Sequence, residues 1–283
     1  MSDQESPVFM QSNEDPAMQQ AYQRARKTFR YFWRELSWEY RRIIPGLDIA
    51  AVKVAFKDPP GTPKSDPNQP EAEQMWVTDI QFDGQKVSGT LINQPNWLQS
   101  VKEGDVVSVK PSQVNDWMYS TSNLVCGAFT VNVMRAAMSK SERKAHDGAW
   151  GLNFGHPDSM IVVPPDYIGQ SAPKKGLFSS PKPIVQDLTE VAKHEHPMAL
   201  NMLDSLKEQL LQDPSLTRHA DDRGLTFLHQ LSLAGSQSSV KMLLDHGSDP
   251  NAVAKNGATP LQLAKSLGWQ QVAKVLIDGG ATA

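Results

Sequence analysis

The chain has 283 residues, 39% of them hydrophobic, a formal net charge of −3 and one cysteine, Cys126. That length accommodates two domains with ordinary cores, while a single thiol excludes an internal disulfide and any multi-cysteine zinc site. Residues 1–170 hold 17 basic and 20 acidic side chains and residues 171–283 hold 11 of each, so neither segment has the positive excess of a general nucleic-acid binder. The first fifteen residues show no basic-then-apolar leader and no run approaches eighteen apolar residues. The expectation is a cytoplasmic chain with neither nucleic acid nor membrane as partner.

Asp15-Pro16 opens a helix in which Met18, Ala21, Tyr22, Ala25, Phe29, Phe32, Trp33 and Leu36 recur at spacings of three and four, one apolar face turned to a core. Arg24, Arg26, Lys27, Arg30 and Arg34 occupy the rest of the helix, and a solvated face is favoured over an anion-binding patch. The β-rich run 48–56 predicts a strand, followed by a proline-rich loop over 57–73. Residues 75–82 and 86–92 alternate around Asp83-Gly84, which predicts a tight hairpin with positive φ in its turn. Further strands are expected at 106–110 and 114–118, then helices over 128–138 and 139–146. A helix, antiparallel strands and a helical return define an α+β domain.

Several motifs in this domain stand together: Met75-Trp76-Val77, Gly89 with Leu91, Asn93-Gln94-Pro95, Glu103-Gly104-Asp105, Asp116-Trp117-Met118 and Gly127-Ala128-Phe129-Thr130. They resemble the signature of the YegJ-like bacterial family, a domain of unknown function, over residues 21–155. The resemblance implies no established enzymatic activity, and a family that includes accessory and immunity-type proteins. Prolines at 157, 164, 165, 173, 181 and 183 then end the regular pattern. Residues 160–163 are left as a further short strand of the first domain. The division expected is 15–168 for the α+β domain, 169–187 for a Pro/Ser-rich linker and 188–283 for a second domain.

Within the second domain a single pattern occurs twice. Gly224-Leu225-Thr226-Phe227-Leu228-His229 is answered thirty-three residues later by Gly257-Ala258-Thr259-Pro260-Leu261-Gln262, a step characteristic of one helical repeat. The glycines suit a positive-φ turn, the threonines cap the helix that comes next, and Pro260 sits in a first turn where it is tolerated. Leu228, Leu231 and Leu233, then Val240, Leu243 and Leu244, give two short helices apolar stripes, with Gly247 and Gly279 as their expected C-terminal caps. These residues resemble the ankyrin family, with Phe227 in place of the usual Pro and Gln262 in place of the usual His. The resemblance implies an all-α repeat domain divided into a degenerate cap at 188–221 and repeats at 222–254 and 255–283. Its core is expected to include Leu228, Leu231, Leu243, Leu244, Leu261, Leu263, Leu276 and Ile277.

Candidate chemistry is sparse. His194-Glu195-His196 lacks the i, i+4 spacing of a zinc helix, and Cys126, between Val125 and Gly127, reads as a small buried hydrophobe. Asp105 and Asp116 fall in turn-like settings where a carboxylate bonds backbone more often than it pairs for catalysis. Lys140, Arg143 and Lys144 lie on a short helix, and Gly148, Gly151 and Gly155 lack the strand and helix of a phosphate loop. No catalytic, cofactor-binding or metal-binding residue is assigned, and no cofactor is expected.

An ankyrin array implies binding through hairpin tips and inner helices. The candidates for a protein partner are therefore Arg223, Leu225, Lys255, Asn256 and Ala258 at the tips, with Gln230, Leu233, Gln262, Lys265 and Ser266 on or near the first helices. Trp117 is added because tryptophan is enriched in binding hot spots. The leading expectation is a protein-binding inhibitor, the immunity protein of a bacterial toxin, acting by steric occlusion. An ankyrin adaptor is the alternative, and an enzyme with an unrecognised site in the first domain comes third.

Overall fold

α1 (Pro16–Glu39) begins where the Asp15 carboxylate accepts the Ala17 amide and Pro16 takes the first helical turn. The structure is a computed structural model and describes residues 15–66, 68–170 and 182–282. β1 (Ile49–Phe56), β2 (Glu73–Phe82), β3 (Val87–Leu91), β4 (Val106–Val109), β5 (Val114–Thr121) and β6 (Leu124–Gly127) form one antiparallel sheet in the order β4-β3-β2-β1-β5-β6. The anticipated hairpin is β2–β3, with φ of +91° at Gly84. β6 is a strand that the sequence pattern does not announce. Its turn is Ser122-Asn123, both at positive φ, a type I′-like hairpin without the Gly that usually marks one.

Alternation along the strands divides the core. Val52, Val54, Met75, Val77, Trp117 and Tyr119 join Phe29 and Phe32 of α1 on one face, while Ala51, Trp76 and Met118 join Val125, Val131 and Phe154 on the other. On that second face lies α3 (Lys140–Trp150), while α2 (Phe129–Ala137) reaches both, with Val131 in the second cluster and Phe129 against Trp117 on the α1 side. Both Trp76 and Trp117 are therefore core. Trp117 is 0% exposed and its Nε1 donates to the Ala25 carbonyl, which removes it as a partner anchor.

Asp116 is buried and accepts the backbone N–H groups of Trp117, Phe129 and Thr130 and the Thr130 hydroxyl. It thereby caps α2, whose own N-cap, Ala128, has no polar side chain. Lys53 lies across the sheet from it, with Nζ 3.0 Å from Thr130 Oγ1 and 4.7 Å over the Trp76 ring. Burial pushes the Asp116 carboxyl up and the Lys53 ammonium down, each partly opposed by the other's charge. Asp105 instead accepts the Lys102 amide in an exposed turn, so the two aspartates serve separate structural roles. Cys126 is buried, and burial raises its pKa so that it remains an inert thiol.

After residue 187 the described chain is helical apart from turns: α4 (Leu188–Val191), α5 (Pro197–Asn201), α6 (Leu203–Gln212), α7 (Phe227–Leu233), α8 (Gln237–Asp245), α9 (Pro260–Ser266) and α10 (Gln270–Asp278). First helices stack on first helices and second on second, α7 on α9 and α8 on α10. Gly224 and Gly257 take the positive φ their turns require. At the last helix, Gly280 rather than Gly279 takes it. Two core expectations need correcting: Leu244 is only half-buried, and Ile277 is 51% exposed, while its neighbour Leu276 is the residue of α10 that enters the core. Most of the expected linker, 171–181, lies outside the described residues. Its end is held down by a parallel bridge between Met160 and Val185, and by the buried Gln186, which bonds Val162 and Val163.

Leu243→Ala is expected to destabilise the chain by about 2–5 kcal/mol, and Ile277→Ala by about 1 kcal/mol or less, in equilibrium denaturant unfolding. Equal effects would contradict the packing described.

A candidate binding surface at the domain joint

From Tyr31 to Trp38, eight consecutive residues of α1 are buried. Since a helical turn takes 3.6 residues, such a run has no solvent face. The sheet covers one side of α1 and the repeats cover the other. Of the basic face expected in solvent, Arg24, Arg26 and Lys27 are exposed, but the other two arginines belong to the joint: Arg34 is 2% exposed and donates to the His194 carbonyl at 2.8 Å, and Arg30 donates to the Gly268 carbonyl at 2.8 Å. Both guanidinium groups approach the rings of Tyr31 and Trp269, whose centroids stand 5.8 Å apart. Trp269 Nε1 in turn donates to the Leu233 carbonyl.

The β2–β3 hairpin completes the contact from the sheet side. Gln85 Nε2 donates to the Asn256 carbonyl, and Asn256 Nδ2 returns a bond to the Asp83 carbonyl. Gly84 lies against the repeats so closely that a Cβ there would overlap Leu263 Cδ2. Just past the end of α1, Arg41 donates to Gln230 Oε1 and lies over the Phe227 ring, and burial lowers its pKa to about 10. The inner helices and one hairpin tip of the repeats thus face the first domain of the same chain.

That arrangement sorts the expected partner residues. Leu225, Leu233 and Ala258 are buried and serve packing, which corrects their assignment to a partner surface. Gln230 and Asn256 are half-buried and bonded to the first domain, so their expected role is taken up internally. Arg223, Lys255, Gln262, Lys265 and Ser266 remain exposed. Gln262 also has a local role, since its Oε1 accepts the Thr259 amide, as His229 Nδ1 accepts that of Thr226. The Gln for His departure therefore preserves the capping box. Beside Arg223, Asp221 and Asp222 face Lys86 and Ser108 of the sheet across a cleft of ≈ 500 Å³.

A second region of the joint is polar and buried. Glu35, on α1, meets His196 Nε2 at 3.0 Å, the Tyr167 hydroxyl at 3.3 Å and Arg42 at 3.6 Å. His196 Nδ1 accepts the Met198 amide, so the proton of the neutral ring resides on Nε2 and is donated to Glu35. Burial lowers the His196 pKa, against the raising effect of Glu35. His194 pairs with Glu190, and the Glu195 carboxylate accepts the amide and hydroxyl of Ser238. The three consecutive residues thus serve three different partners, and among the described residues no cluster of His, Cys, Asp and Glu could hold a metal ion.

Architecture and joint define a two-domain ankyrin-repeat protein. The family model described as "Uncharacterized protein conserved in bacteria (DUF2314)" matches residues 15–154, and that for ankyrin repeats in three copies matches residues 192–283. Over 273 residues the chain is 37% identical to a putative ankyrin repeat protein of Neisseria meningitidis serogroup B, covering 96% of this chain and 97% of the other. The chain belongs to that bacterial family, which joins a DUF2314 domain to ankyrin repeats. It is also 26% identical over 70 residues to the uncharacterized protein YegJ of Escherichia coli, covering 25% of this chain and 46% of YegJ. Among solved structures, the human ASB11 ankyrin repeat domain is 31% identical with a TM-score of 0.28, covering 35% of this chain and 41% of that one. Ankyrin repeats are protein-interaction modules, and no helix among the described residues is long and apolar enough to cross a membrane.

Two buried histidines, His196 at the joint and His229 within the repeats, make stability pH-dependent. Burial lowers the pKa of both His196 and His229, so the fold favours neutral rings. Above about pH 6.5 both states are unprotonated and this contribution is whole; below it the unfolded chain takes up protons that the native state resists, and stability falls. The thermal midpoint is expected to drop on acidification from about pH 7.5 to about pH 5.5, and to drop less in His196→Gln, by scanning calorimetry. An identical pH slope in the variant would contradict this.

Proposed function

We propose that the chain is a non-enzymatic protein-binding protein whose two domains present one composite surface. The observation that carries this reading is the joint itself: α1 and the β2–β3 hairpin lie against the inner side of the repeats, so a partner is met at the rim. Arg223, Lys255, Gln262, Lys265 and Ser266 form the ankyrin portion of that rim. The cleft shared by Asp221, Asp222 and Lys86 carries it onto the sheet. Charges of both signs there suit orientation-specific docking, where complementarity acts mainly on association rate and specificity.

The narrower reading is inhibition of a cognate bacterial toxin by steric cover, for which a standard interface of about 1,600 Å² in total suffices. It draws support from the resemblance of the first domain to a family that includes immunity-type proteins, a likeness of family rather than of site. Capture of the full chain from its native bacterium, followed by mass spectrometry, is expected to recover one protein at equal stoichiometry whose toxicity falls on reconstitution. Recovery of several housekeeping proteins instead would favour an adaptor. Joint replacement of Arg223, Lys255 and Lys265 by Ala is expected to weaken that partner at least about tenfold by surface plasmon resonance, with the thermal midpoint little changed. Unaltered affinity in the folded variant would remove the rim from the interface.

A further inference from the structure

Two groups of residues with no evident role in the sequence meet in space. The basic residues of α3 and the glycines at 148, 151 and 155 line one open cleft of ≈ 660 Å³. This cleft belongs to α3 and the segment after it, which pack on the sheet face opposite α1 and the repeats. It is therefore separate from the rim.

The charges in this cleft are uneven. Arg135 is 1% exposed, and its guanidinium is fixed by Asp147 at 2.7 and 2.8 Å, by Asn132 Oδ1 and by the Gly155 carbonyl. Asp147 cancels that charge. Arg143 is oriented by the carbonyl oxygens of Arg135 and Met138, at 3.0 and 3.1 Å, which hold it without neutralising it. Lys140 and Lys144 stand one helical turn apart on the exposed side of α3, with no ion pair among the described residues. Four basic residues and one acidic residue thus line the cleft, a local excess of three positive charges in a chain whose formal net charge is −3. Glu142, the other acidic residue of α3, turns away to cap the Ser139 amide.

Gly148 is the second observation. It lies inside α3 without positive φ, and a Cβ there would meet nothing within 4 Å. A helix-interior glycine lowers stability relative to alanine, and neither backbone conformation nor packing among the described residues demands one at this position. A ligand lying against the helix backbone does. We propose that this cleft binds a phosphate-bearing small molecule, with Lys140, Arg143 and Lys144 holding its oxyanions and its body lying over Gly148. Lysine point charges and a pre-oriented arginine fork both suit phosphate oxygens, and the volume falls within the range of about 300–1,000 Å³ usual for small-molecule sites.

The test is calorimetric titration of the full chain with ATP and, separately, with tripolyphosphate, which lacks a base and sugar. The expected result is saturable binding of ATP, tighter than of tripolyphosphate, and at least tenfold weaker in Lys140→Ala/Lys144→Ala. Gly148→Ala separates a ligand role from a neutral surface position: it is expected to raise the thermal midpoint while weakening ATP at least threefold. Absence of saturable binding by either probe would overturn the proposal. So would ATP affinity unchanged in both variants, or binding of a glutamate-rich peptide with none of either phosphate probe.

Discussion

Trp269 opens the second helix of the last repeat, yet its ring lies within reach of two guanidinium groups from the first helix of the chain. An exposed cation–π contact is worth about 0.5–1 kcal/mol and a desolvated one about 2 kcal/mol, so the approach gains weight only where both partners leave water. Here Arg34 is buried, its pKa lowered by that burial, and one of its amino groups bonds the His194 carbonyl. Removing the repeats would leave Arg30 and Arg34 with the Tyr31 ring alone, and removing the first domain would leave the Trp269 indole without either guanidinium group. Neither domain surface at the joint is therefore suited to water. The closed inner side of the repeats and the buried Glu35–His196 pair lie along the same joint.

Closing the inner side changes what an ankyrin array can do. Stacked repeats ordinarily offer a concave surface, but here Gly84 and Asn256 approach across it and Arg41 reaches Gln230. In the proposed function, affinity for a partner therefore comes from the rim and from surfaces that the DUF2314 domain adds. The two domains also support one another, since two clear repeats and a degenerate cap bury little area alone, and α1 supplies the missing wall.

Much of the fold was legible in the sequence because it depends on short-range chemistry. The β2–β3 hairpin follows from alternation around Asp83-Gly84, and the repeat register follows from a thirty-three-residue echo that carries its own caps. β6 was not legible, because a four-residue strand after Ser122-Asn123 offers neither length nor a Gly-marked turn. The joint was misread for a different reason: the apolar positions of α1 give one clear stripe, and arginine on the remaining face has the same spacing whether it meets water or aromatic rings. Tyr31 and Trp38, off that stripe, were the available sign that a second face is buried. Of the expected partner residues, the exposed ones are polar and the lost ones are largely apolar: sequence spacing places a side chain on a helix face but does not tell what covers it.

Through the α1–Trp269 contact the two domains are expected to unfold as one body. Differential scanning calorimetry of the full chain measures this most directly. A single transition is predicted, with calorimetric and van 't Hoff enthalpies equal, separating into two in Arg34→Ala/Trp269→Ala. Two resolved transitions in the unaltered chain, at temperatures insensitive to those substitutions, would contradict it.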